Sequence, residues 1–225
     1  MLSYITLVIV TMILGFGTQA YINSSYSKYS KIGAGVNLTG AQMAQRMLSD
    51  HGIYDVQVLH VSGKLTDHYD PKKKTVNLSD GVYGSSSVAA LAVACHECGH
   101  AVQHAKNYAP LNFRSALFPL ANFGSSAWLV LLMIGVALNS FSLVWIGIIV
   151  YAFAVLFQVV TLPVEFNASH RALDYLKSGS GLALQGSSFS GAKTMLTAAA
   201  LTYVAAALTS IMQLLYFISV YGNRD

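Results

Sequence analysis

Residues 94–102 read Ala-Cys-His-Glu-Cys-Gly-His-Ala-Val, which puts two imidazoles four residues apart with a carboxylate beside the first. On an α-helix, i and i+4 stand one turn apart on one face, so His96 and His100 can turn a ring nitrogen each toward a single ion. Such a pair holds zinc at about 2.0–2.1 Å. Glu97 is then placed to take a proton from the attacking water and pass it to the leaving amine. This is peptide-hydrolysis chemistry in outline. The surroundings separate the motif from a chance match on a solvated helix. From Gly81 to Ala105 the only ionisable side chains besides Tyr83, Cys95 and Cys98 are His96, Glu97, His100 and His104, and glutamate occurs at only two positions in the chain, 97 and 165.

Neighbouring candidates are weaker. Cys95 and Cys98 form a C-x-x-C, but no second one completes a zinc ribbon, and small apolar thiols on a helix read as packing. His104 lies two turns past His96, about 12 Å along a straight helix, too far to share its ion. Gln103 and Lys106 stand where a metzincin would continue with glycine and histidine.

The helix needs elements to hold it. At 225 residues, 54% hydrophobic and 10% charged, the chain is far more apolar than soluble domains, about a quarter of whose residues are charged. Four stretches are long enough to cross about 30 Å of hydrocarbon: Leu2–Ile22, about Ala116–Leu138, about Phe141–Pro163 and about Leu196–Val220. The Leu2–Ile22 stretch lacks a basic start and is followed by Lys28 and Lys31, so it reads as an uncleaved span rather than a signal peptide. The net charge of +4 is not a nucleic-acid signal, because twelve of the thirteen basic residues fall in two segments, Lys28–Arg114 and Arg171–Lys193. The positive-inside rule makes those segments cytoplasmic and both termini external. Cysteines in a reducing compartment imply no disulfide.

The expected order is a span over 1–22, a cytoplasmic unit over 23–113, a hairpin of two spans over 116–163, a cytoplasmic return over 164–194 and a last span over 196–220. In the first unit, Thr39 caps a helix over Gly40–Asp50. Tyr54–Val61 and Thr75–Leu78 read as strands around a polar turn at Asp67–Pro71. Ser85–Ser87 cap the motif helix, which runs to about Lys106. Thr75–Leu78 either lies along a bound peptide or is an exposed edge guarded by Lys72–Lys74. His68 and Tyr69 are candidate donors to a tetrahedral oxyanion, against the plainer reading of turn residues. Pro163 ends the third span, and Gly179, Gly181, Gly186 and Gly191 form a loose loop.

Asp67–Pro71, Val93–His104 and Leu162–Ser169 together resemble the YugP-type family of bacterial membrane zinc metallopeptidases, along nearly the whole chain. More distantly the layout is similar to the HtpX and CAAX prenyl peptidases, which place a membrane hairpin between H-E-x-x-H and a downstream E-x-x-x-[DS]. The resemblance implies an α-helical membrane protein with four transmembrane helices and a small α+β zincin-like cytoplasmic unit, multi-pass in a bacterial cell membrane. It implies one Zn2+ held by His96, His100 and Glu165, with Glu97 as general base, and protein or peptide substrates, so the implied partners are the lipid bilayer and those substrates. Ser169 stands where HtpX-like chains carry aspartate, so a carboxylate orienting a ligand histidine is absent there; Asp174 is a possible substitute. The residues around Glu165 point the same way: a carboxylate at a membrane boundary needs a positive partner, and the metal and Arg171 are the nearest. His170 is the rival ligand. The alternative function is a non-catalytic zinc-binding membrane scaffold.

Overall fold

The computed structural model describes residues 3–178 and 183–222. Its elements in order are α1 Tyr4–Tyr29, α2 Gly40–Asp50, β1 Gln57–His60, β2 His68–Asp70, β3 Thr75–Leu78, α3 Asp80–Tyr83, α4 Val88–Ala105, α5 Ala109–Ala137, α6 Phe141–Ser178 and α7 Gly186–Tyr221. Helices α1, α5, α6 and α7 are each long and apolar enough to cross a membrane.

Local chemistry sets the ends of the short helices. Thr39 and Gln42 exchange the paired bonds of a capping box at the start of α2. The Ser87 hydroxyl accepts from the Ala90 amide at the start of α4. Helix α4 is then enclosed on nearly all sides by Met43 and Met47 of α2, Val76 and Leu78 of β3, Ala172 and Leu176 of α6, and Met195 and Leu196 of α7. Fully burying side chains of this size contributes about 1.5–3 kcal/mol each. Cys95 and Cys98 belong to this core, and the Cys98 thiol donates to the Ala44 carbonyl at 3.5 Å. Burial pushes both thiols above their ordinary range, so they stay protonated packing groups.

Two expectations are corrected. Residues 68–70 form a strand rather than a turn: Asp70 Oδ1 accepts from the Lys72 and Lys73 amides, and Lys74 takes a positive φ, which folds the chain back into an antiparallel pair with β3. The sheet order is therefore β1-β3-β2, with β1 parallel to β3. Thr75–Leu78 lies in the centre with every residue buried, so it is neither a peptide-binding edge nor an edge needing guard lysines. The outer strand on the α4 side is β2.

The second correction is at Pro163, which does not end a helix. Residues 141–178 run on as one helix of 38 residues. Proline removes one backbone donor and crowds the turn before it; the helix continues through it, and its next turn is held from α4 and the α4–α5 corner, where Gln103 Nε2 donates to Val164 O at 2.7 Å and the Tyr108 hydroxyl to Pro163 O at 3.5 Å. Beyond the proline, Val164, Ala168 and Ala172 pack against α4. The approach is closest at Gly99, where a methyl group would stand 2.7 Å from the Ala168 carbonyl oxygen; any larger residue there pushes α4 and α6 apart. Of the expected glycine loop, Gly186 and Gly191 lie in α7, while Gly179 and Gly181 fall outside the described residues. Within the membrane helices Trp128 sits between Tyr151 and Phe217, at ring separations of 4.5 and 5.5 Å.

Candidate metal centre

Helix α4 presents His96 and His100 on one face, their rings edge to face 4.8 Å apart. Helix α6 brings Glu165 onto that face. Glu165 Oε2 lies 3.3 Å from His96 Nε2 and 3.6 Å from His100 Nε2. Donors bound tetrahedrally at about 2.0–2.1 Å stand about 3.3–3.4 Å from one another, so these separations suit a shared small cation. Glu165 is 2% exposed and its Oε2 has no hydrogen-bond partner, a costly state for a buried carboxylate oxygen unless a cation meets it.

The other face of each imidazole is tied so that Nε2 is the free nitrogen. His100 Nδ1 lies 3.0 Å from Gln103 Oε1, while Gln103 Nε2 donates to Val164 O and to Asn167 Oδ1. With its amide nitrogen committed, the Gln103 oxygen can only accept, which fixes the hydrogen on His100 Nδ1. His96 Nδ1 lies 3.1 Å from Ser169 Oγ. Arg171 does not pair with Glu165; its Nε donates to Asn167 Oδ1 at 2.8 Å and so braces the group that holds Gln103. His170 and Asp174 pair with each other at 3.2 Å on an exposed face of α6. His170 therefore does not join the cluster, and Asp174 orients neither His96 nor His100.

Glu97 lies in the wall between two cavities. One, of about 300 Å³, is bounded by α1 and α7 through residues that include Ile22, Met195 and Leu196. The other, of about 180 Å³, is bounded by β2 and α5 through His68, Tyr69, Leu111 and Arg114. Asp67, His96, Glu97 and Tyr203 line both. Burial pushes the Glu97 carboxyl above its ordinary range, against the opposing pull of His96 and His100. Of the oxyanion candidates, Tyr69 turns its hydroxyl to His104 Nδ1 at 2.8 Å and His68 Nδ1 meets Thr66 O at 2.9 Å. Both still line the smaller cavity. Asp67 is held by the amide and hydroxyl of Ser79, which pins the loop beside the cluster.

Residues 4–222 match the family model described as "Putative neutral zinc metallopeptidase". The chain belongs to this family. It is also 45% identical over 223 residues to the protein named "Putative membrane protease YugP" of Bacillus subtilis, covering 99% of this chain and 98% of that protein. No solved structure matches. Membership in a zinc metallopeptidase family implies Zn2+, and among the described residues His96, His100 and Glu165 form the group that could hold one ion.

Gln103, Asn167 and Tyr203 were not legible as site residues from the sequence. The one signal for Gln103 is a neutral polar residue facing the core of an apolar helix, three positions after His100, where nothing but a buried partner satisfies an amide. Asn167 follows Glu165 by two positions with no pattern of its own, and Tyr203 sits in an apolar span among alanine, leucine and valine with no motif around it.

Proposed function

We propose that this chain is a membrane-embedded zinc endopeptidase that hydrolyses peptide bonds of membrane-associated or unfolded proteins, with its zincin-like unit and active site at the cytoplasmic face. The carrying observation is the state of Glu97. It is buried beside the His96–His100–Glu165 cluster, borders both cavities, and takes no hydrogen bond from any described residue. A structural carboxylate would be tied down; one kept free next to a metal site is suited to carry protons. The candidate ligand group has three members among the described residues, and a structural zinc site would close the fourth position.

When bound, zinc supplies Lewis acidity toward the scissile carbonyl and lowers the pKa of a water. The remaining work falls to the chain. Gln103 fixes the His100 tautomer and Ser169 steadies the His96 ring, Glu97 accepts the proton of the attacking water and returns it to the leaving amine, and β2 offers its unpaired edge for a peptide to extend the sheet. Cavities on both sides of the cluster favour a substrate that passes through, hence cleavage inside a chain. The test is cleavage of an unfolded protein such as casein by the purified protein in detergent, expected to stop on chelation and return with zinc. A scaffold would bind zinc and leave casein intact.

Sidedness has its own test. Cysteines placed at Ser140 and at Lys73, in a background with Cys95 and Cys98 replaced, are expected to react with an impermeant maleimide in intact cells at 140 alone. Labelling at 73 would put the site on the outside.

A further inference from the structure

Arg114, near the start of α5, lines the smaller cavity together with His96, Glu97, His100 and Glu165. Its Nε is shut off from solvent and has no hydrogen-bond partner. Among the described residues it forms no ion pair, with Glu165 or any other carboxylate, and its guanidinium carbon stands 5.6 Å from the centroid of the Phe157 ring. An Nε–H shut off from water without an acceptor is costly, and a cation–π contact does not supply one. Of the other titratable groups bordering the cavity, Glu97 is the proton carrier of the peptidase reading, and most of the rest are engaged within the chain. Asp67 is engaged by Ser79, Glu165 faces the two histidines, and Tyr69 is bonded to His104. Arg114 is the bordering cation left without a counter-charge.

We propose that Arg114 receives a carboxylate of the substrate, so that bonds are cut beside an acidic group held on the β2–α5 side of the metal centre. A planar guanidinium fork matches a carboxylate with two parallel hydrogen bonds. The absence of an ion pair with Glu165 sets Arg114 apart from the ligand cluster, which suits a neighbouring subsite rather than the carbonyl under attack. The larger cavity, walled by apolar residues of α1 and α7, takes the apolar side of the same substrate. Two sources can supply the carboxylate: an aspartate or glutamate side chain, or the free C-terminus of the substrate chain.

This inference rests on the peptidase reading, and one experiment separates the two. The purified protein in detergent is given a peptide mixture in which each peptide carries Asp, Glu, Asn, Gln or Lys at successive positions, with free or amidated C-termini, and the cuts are mapped by mass spectrometry. Wild type is expected to cut peptides with a carboxylate at one fixed distance from the scissile bond about 10-fold or more faster than their amide isosteres. Loss of that preference on C-terminal amidation assigns the carboxylate to the chain end; its persistence assigns it to a side chain. In Arg114→Gln the acid-to-amide ratio should fall toward one, Arg114→Lys should keep part of it, and Arg114→Glu should move the preference to lysine, with zinc content measured alongside as the check on folding. Equal cutting of acidic and neutral peptides by wild type overturns the proposal while leaving the peptidase reading intact, and needs no variant. A uniform loss in Arg114→Gln with the ratio unchanged also overturns it. No cutting at all by zinc-loaded wild type removes both.

Discussion

Glu97→Gln is expected to retain zinc and to lose hydrolysis by about 10²–10⁴-fold, the usual cost of removing a positioned general base. The amide is isosteric with the carboxylate and the rest of α4 is packed in the core, so the helix and the ligand face should survive the change. What disappears is the basic oxygen. Burial raises the proton affinity of Glu97 while His96 and His100 oppose the rise, the balance wanted in a group that must accept a proton and then give it up. Metal content by mass spectrometry and casein cleavage measured on the same preparation check the result. Unchanged cleavage would remove Glu97 from the reaction; zinc lost together with cleavage would make it a ligand or a support.

Glu165→Gln is expected to lower zinc affinity by 10-fold or more, at or beyond the 10–100-fold loss typical of residues that merely support a ligand. The reason is the 3.3 and 3.6 Å approach of one carboxylate oxygen to both imidazoles. An amide there supplies a neutral oxygen or turns its nitrogen inward. Dialysis against a chelator strong enough to strip a His100→Ala variant should strip Glu165→Gln as well and should leave His170→Ala loaded, since His170 is engaged with Asp174 on the outside of α6. Stoichiometric zinc surviving in Glu165→Gln would point to a different third ligand.

The motif helix was legible because every signal for it is local. The serine cap, the apolar run and the imidazole spacing all lie within about twenty residues, and α4 spans Val88–Ala105 where the sequence placed its start after Ser87 and its end near Lys106. The twelve-residue stretch of α2 and its cap reads equally well, from Thr39 to its end at Asp50. Four apolar helices follow from composition alone. The failures are all long-range. Nothing near Pro163 reveals that Gln103, some sixty positions earlier, meets the carbonyl beyond it. Nothing near His68 reveals that it pairs with Asn77 across a turn closed by Asp70. The acids near the cluster sort the same way: Asp174 looked like a candidate brace for a histidine, and the helix phase of α6 carries it outward with His170.

The unbroken α6 acts as a ruler. Phe141 opens it and Glu165 stands twenty-four positions on, about 36 Å along the axis, against a hydrocarbon layer of about 30 Å. An upright helix anchored at Phe141 would thus carry its carboxylate about one turn clear of lipid, and tilt or a thicker bilayer would use up that margin. Because α4 reaches the same carboxylate from the other side and packs closely on α6 at Gly99, such an anchor would let lipid thickness as much as protein packing set the height of the His96–His100–Glu165 face.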